Sequence, residues 1–205
     1  MSTHSPELVS FDSKQVIHRL VRKGGKVSCG TVHTDAIDPE AKLQSKLDER
    51  GAHDFLFSTG VVFCEGKDDG FATRLGFEKT GVDYDGRSVS ITQCGDVGAI
   101  PAFTSISQQL GIRWCALTDE DLQADGTVKA MTLKARQKIV KHKQASDLML
   151  MWPGDLERCF GVATAKATPD VVLAKLSDPA WQTAHPEFKK ALSDIAEWID
   201  PSISI

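Results

Sequence analysis

The stretch Val61-Val62-Phe63-Cys64-Glu65-Gly66-Lys67-Asp68-Asp69-Gly70 decides the fold. An apolar run ends abruptly on a carboxylate and a glycine, and charged residues follow. That is how a buried strand reads where it hands over to the first turn of a helix. Working outward, further apolar runs lie at Phe55 to Cys64, Val89 to Thr92, Arg113 to Leu117 and Leu148 to Met151. Between them the spacing predicts helices at about 69–78, 98–110 and 130–144. Short apolar runs alternating with helical segments predict an α/β fold, a mostly parallel sheet flanked by helices. From Pro153 onward the chain reads as a small helical portion, with Pro169 to Leu176 and Pro186 to Ile199 as its helices. Nearer the start, Val27 to Val32 reads as a short strand after a Gly24-Gly25 break. Asp38-Pro39-Glu40 opens a helix that Gly51 closes.

Ligands of open parallel sheets gather at the carboxyl ends of the strands. Glu65 follows the first run, and Thr118-Asp119-Glu120-Asp121 follows the third. Asp119 and Asp121 are two apart, so an extended backbone would aim both carboxylates to one side and Glu120 to the other. Asp69, in the first turn of the next helix, comes within reach of whatever Glu65 binds. Either motif alone reads as solvated loop acids. Both together, on two strand ends of one sheet edge, supply the oxygen donors that hard cations such as Mg2+ or Mn2+ prefer.

Composition narrows the field. With 205 residues, 41% hydrophobic and 25% charged, the chain has room for one medium domain with small appendages. No apolar run approaches the roughly 18 residues of a membrane span, and no signal sequence opens the chain, so a cytoplasmic location is expected. The five cysteines stand singly, without CxxC or zinc spacing, which reads as small buried hydrophobes. A net charge of −4 argues against a passive nucleic-acid binder. Two divalent cations would reverse the local sign where the acids cluster.

The run from Val61 to Asp69 resembles the VEGxxD signature that opens a TOPRIM domain, and Thr118-Asp119-Glu120-Asp121 resembles its DxD signature. Ile91-Thr92-Gln93-Cys94-Gly95 resembles the second strand and glycine turn found between them. Within that fold the chain is most similar to the OLD (overcoming lysogenisation defect) family of nucleases. Thr3-His4-Ser5-Pro6 resembles the switch-histidine segment of the ATPase domain that precedes TOPRIM in that family. Pro153-Gly154-Asp155-Leu156-Glu157 resembles the segment whose glutamate completes the metal site. Lys166-Ala167-Thr168-Pro169 resembles a KxxP segment with a lysine near the scissile phosphate.

The resemblance implies a TOPRIM, Rossmann-like catalytic domain at 55–160 and a helical C-terminal portion at 161–205. Residues 1–34 would be the remnant of an ABC-type ATPase domain, and 35–54 a linker helix. It implies a metal-dependent endonuclease acting on DNA, or on RNA, through Mg2+ or Mn2+, with two ions. Glu65, Asp69 and Asp119 would hold one ion, and Asp119, Asp121 and Glu157 the second. Glu65, Asp119, Asp121 and Lys166 would carry catalysis, the lysine by neutralising charge on the phosphate. Two-strand cutting favours a homodimer.

The sequence departs from the family in one respect. Nothing reads GxxxxGK[ST], so an ATPase domain or a helicase would have to come from elsewhere, and the chain reads as the C-terminal part of a longer protein. The alternative reading is a non-catalytic interaction module that acts only with such a partner. A topoisomerase would need a nucleophilic tyrosine, and Tyr84, in a turn-like Asp83-Tyr84-Asp85-Gly86, is the only tyrosine. The segment from Lys129 to Lys143 carries six basic residues and no acid, with Lys134, Lys138 and Lys141 on one helical face. That face suits phosphates along a duplex, or equally a solvated helix surface.

Overall fold

The computed structural model describes residue 9 and residues 16–33, 52–162 and 166–205. The switch-histidine segment and nearly all of the 35–54 linker lie outside the described residues.

Strands β1 (Val16–Lys23) and β2 (Lys26–His33) form an antiparallel hairpin, turning at Gly24 and Gly25, both in the left-handed region. The main sheet contains β3 (Gly60–Cys64), β4 (Val89–Gln93), β5 (Arg113–Asp119) and β6 (Leu148–Trp152). Their order is β4-β3-β5-β6, and every pairing is parallel. The chain leaves β3 to one side to make β4 and returns to the other side to make β5. The carboxyl ends of β3 and β5 therefore flank a topological switch point, where open α/β sheets bind ligands.

The period-2 alternation of the strands sorts two cores. Val62, Cys64, Cys115 and Leu117 face α1 (Lys67–Thr80), α5 (Pro169–Ser177) and α7 (Pro186–Ile199). Val61, Phe63, Trp114 and Ala116 face α2 (Ile100–Gln109) and, through Ile139, α3 (Ala130–His142). Short helices α4 (Leu156–Cys159) and α6 (Trp181–Ala184) complete the first layer. The helices after residue 160 thus share one core with the sheet. A Cβ on Gly76 of α1 would lie 2.5 Å from Leu192 Cδ1, so a side chain there would force Leu192 of α7 to shift.

The expected strand from Phe55 to Cys64 is divided. Ala52–Phe57 forms a 3-10 turn, and the strand begins only at Gly60. Phe55 packs edge-on against Phe63, 5.5 Å between centroids, and against Phe103, which is better served by a turn than by a pleat. The hairpin is held to this body by Arg19, whose guanidinium donates to the carbonyl oxygens of Leu56, Ser58 and Leu110.

Candidate metal centre

Each acid reaches the switch point for a local reason. Glu65 is the first residue after β3, and its Oε2 accepts the Asp119 N–H at 3.5 Å across the gap to β5. Asp69 is the third residue of α1, where Gly66 caps the helix and its N–H donates to Asp69 Oδ2 at 2.8 Å. Its other oxygen, Oδ1, accepts the indole N–H of Trp152 at 2.9 Å, which ties α1 to the end of β6. Glu157 lies on α4. Its Oε1 accepts the Ala167 N–H at 3.0 Å, so the residue next to Lys166 is anchored on a site acid while Lys166 itself stays exposed. Asp155 caps the same helix, accepting the Arg158 N–H at 2.8 Å.

These carboxylates crowd one another. Burial, then the charges of Asp69, Glu65, Asp121 and Asp155, push the Asp119 carboxyl up to about 8. Burial also raises Glu65, against hydrogen bonds from the backbone of Asp119 and Val97, and the charges of Asp121 and Asp69 add to the rise. Asp69, only 7% exposed, is raised by burial with a further push from Glu157, despite the bonds from Gly66 and Trp152. Two buried oxygens at the end of β5, Thr118 Oγ1 and Asp119 Oδ1, have no hydrogen-bond partner. A carboxylate oxygen left without a donor among four other acids suits a hard cation, and all-oxygen donors are the right type for Mg2+ or Mn2+.

One acid differs from the sequence expectation. β5 stops at Asp119, and Asp121 takes a left-handed backbone with φ +54°, so the period-2 argument fails two residues too late. Its Oδ1 accepts from Lys129 Nζ at 2.6 Å and its Oδ2 from Thr132 Oγ1 at 2.5 Å. Burial pushes this carboxyl up, but those two bonds outweigh it and leave it below the usual carboxylate value. Among the described residues, no group of three His, Cys, Asp or Glu side chains stands ready to hold a metal ion in this arrangement. The donor chemistry fits a divalent ion, and Asp121 is the ligand that would have to turn.

Glu120 is bound to the backbone of the neighbouring connection. It accepts the Gly154 N–H at 2.8 Å while its own N–H donates to Gly154 O, clamping the β6–α4 connection to the end of β5. Gly154 has φ +82°, a backbone that a side chain would strain. Asp155 joins the cluster although the sequence does not single it out; its place in the Pro153–Glu157 segment is the available signal. Lys129, Thr132 and Trp152 are likewise site residues that the sequence reading does not reach. Arg136 donates to the Asp119 carbonyl, so α3 touches the site through its side chains. Tyr84 follows α1 and precedes β4, at the opposite sheet edge, and packs on Phe77. Cys64, Cys94, Cys115 and Cys159 are buried, whereas Cys29, on the hairpin, is exposed against expectation; burial pushes the Cys64 thiol up to about 12, which makes it inert packing.

A four-stranded parallel sheet, with a glutamate after one strand and an aspartate ending its neighbour at the switch point, is the arrangement of a TOPRIM domain. Residues 56–121 match the family model described as "Overcoming lysogenization defect protein-like, TOPRIM domain". This part of the chain is an OLD-like TOPRIM domain. Among solved structures, the C-terminal region of the Burkholderia pseudomallei OLD protein is similar at 15% identity, TM-score 0.45, covering 70% of this chain and 87% of that one. The C-terminal region of the Xanthomonas campestris pv. campestris OLD protein is similar at 16% identity, TM-score 0.40, with 72% and 87% covered. No curated protein matches the chain. Among the described residues, no helix is long and apolar enough to cross a membrane.

Proposed function

We propose that this chain is the TOPRIM part of a metal-dependent nuclease that hydrolyses DNA phosphodiester bonds in the cytoplasm. The observation that carries the reading is the state of Asp119: half-buried, with a buried oxygen that has no partner, and its carboxyl pushed up to about 8 by burial and by the acids around it. A protein gains nothing in stability from such crowding, so it points to an absent counter-charge.

In this reading Glu65, Asp69, Asp119, Asp121 and Glu157 hold two Mg2+ or Mn2+ ions. Such ions, once bound, activate the attacking water and stabilise the leaving oxygen. The chain's own residues do the rest. Asp119 keeps its proton until a cation replaces it. Trp152 and the Gly66 N–H fix the orientation of Asp69. The clamp between Glu120 and Gly154 holds α4, and with it Glu157, against the end of β5. Lys166 offers positive charge to the phosphate from the rim.

Helix α3 gives the duplex a track. Lys134 and Lys141 are exposed along it, Lys138 is half-buried, and Arg136 reaches back to the Asp119 carbonyl. The same reading assigns 55–160 to the catalytic domain, 161–205 to its helical cover, 1–34 to the edge of an ATPase domain and 35–54 to a linker. The working partner is then an ATPase domain or a helicase, and cutting of both strands calls for a homodimer.

One observation favours the second reading, a partner-dependent interaction module: both oxygens of Asp121 are already occupied by Lys129 and Thr132. Incubating the purified chain with supercoiled plasmid and Mg2+, Mn2+ or EDTA, beside an Asp119→Ala, Asp121→Ala double variant, separates them. Metal-dependent nicking that vanishes in the variant supports the nuclease. Intact plasmid, with single-stranded RNA also left uncut, supports the module.

A further inference from the structure

The nine residues from Asp121 to Lys129 leave the end of β5 and fold back on themselves. Leu122 and Val128 form an antiparallel bridge. Inside it, the Gln123 N–H donates to Thr127 O at 2.8 Å and the Gly126 N–H to Gln123 O at 2.9 Å. Asp125 Oδ1 takes the Thr127 N–H at 2.9 Å and its hydroxyl at 2.7 Å. This closed turn returns Lys129 to its starting point, where the backbone N–H donates to Asp121 O at 3.2 Å and the ammonium to Oδ1.

Asp121 is thereby held in a left-handed backbone, which aspartate tolerates better than most residues but which is still less favourable than an extended one. An isolated surface Lys–Asp pair contributes little to stability, too little to account for such a turn. The location supplies a better reason. The ammonium sits on one acid of the DxD pair while Asp119, two residues away, has an oxygen with no partner. A single positive charge occupies the place on Asp121 where a divalent ion would bind.

We propose that Lys129 is the cluster's built-in cation: it occupies Asp121 in the metal-free chain, must be displaced before that carboxylate can ligate a divalent ion, and so sets the ion concentration at which the site fills. This rests on the metal-site reading above. The Lys129 side chain is 58% exposed, so it can swing into water at little cost, while the closed turn keeps it near for return. Thr132 is fully buried, so a hydroxyl donor stays beside Oδ2 as the carboxylate turns once the lysine has left.

Mn2+ binding, followed by the loss of the free-ion paramagnetic resonance signal, tests this in wild type, Lys129→Met, Lys129→Arg and Asp119→Ala. Loss of a competing pair worth up to about 1 kcal/mol corresponds to about fivefold tighter Mn2+ binding in Lys129→Met. Lys129→Arg keeps the charge and stays near wild type. A second readout uses unmodified protein: Mg2+ raises the rate at which an acylating reagent labels Lys129, read by mass spectrometry, and leaves Lys134 unchanged. Equal Mn2+ affinity in wild type and Lys129→Met, or Lys129 labelling that Mg2+ does not move, overturns the proposal. If wild type and Asp119→Ala alike fail to bind Mn2+, the metal reading falls and this one with it. Normal wild-type binding with no effect of Lys129 removes this one alone.

Discussion

The indole N–H of Trp152, at the end of β6, donates to Asp69 Oδ1, in the first turn of α1, at 2.9 Å. The bond joins two elements far apart in the chain and gives a buried carboxylate a donor it cannot replace with water. Trp152→Phe keeps an aromatic ring against Phe188, 5.4 Å between centroids in the native pair, and removes the donor together with part of the buried indole. Loss of a bond to a buried charged group costs about 1–3 kcal/mol. Urea unfolding should show that loss in Trp152→Phe, and a much smaller one when the same change is made in an Asp69→Ala background. Equal losses in both backgrounds would assign the cost to packing alone.

The Asp119 carboxyl gives the metal-free chain a pH dependence of definite sign. Its value is about 8 in the folded chain against 3.8 ordinarily, so between the two the folded state binds a proton that the unfolded state does not. Its contribution is fully present below about pH 4 and is lost as pH rises through about 8. Glu65 and Asp69, both raised, act in the same direction, whereas Asp121, lowered, acts only at acid pH. In EDTA the unfolding midpoint should fall between about pH 4 and about pH 8. Asp119→Asn should flatten that fall while abolishing cleavage. A flat wild-type profile would mean the acids do not crowd one another.

On α3, duplex binding should lose salt sensitivity when Lys134, Lys138 and Lys141 are changed to Ala together. Each neutralised phosphate adds about 0.9 to the slope of log K against log salt, so removing all three lysines lowers it by up to about 3. Fluorescence anisotropy with a labelled duplex, from about 50 to about 200 mM salt, reads the slope. An unchanged slope would return this helix to a solvated surface.

Lys166→Ala should slow cleavage by about two to three orders of magnitude, what loss of one charge-stabilising donor costs, and leave Mn2+ binding unchanged. Lys189→Ala provides the comparison, since Lys189 lies on α7. Similar rates for the two variants would remove Lys166 from the reaction.

The strand ends are legible in the sequence because burial on both faces of a parallel sheet forces a continuous apolar run, and the run stops where water begins. Glu65 and Asp119 emerge that way, and Asp69 from the helix start beside them. Asp155 needs only closer reading of the same segment. Asp121 departs from expectation because alternation assumes the strand continues, and nothing local announces that β5 ends at Asp119. A backbone reversal before Lys129 is hinted at by Asp125-Gly126, but its pairing with Asp121 depends on the closed turn. The bond from Trp152 to Asp69 cannot be read at all, since only the assembled sheet brings them together. Strand β1 is equally opaque, because its mixed apolar and basic residues fit either period.

The seating of α7 on α1, with Phe188 stacked on Trp152, also sets an order of assembly during synthesis. Glu65, Asp119 and Asp121 leave the ribosome well before the residues that cover their sheet. Asp69 does not acquire its indole donor until β6 has emerged, and that indole does not acquire its aromatic support until α7 has followed. A half-made chain therefore carries the acids without the indole and stacked ring that orient Asp69, so the cluster is complete only once the covering helices have been translated.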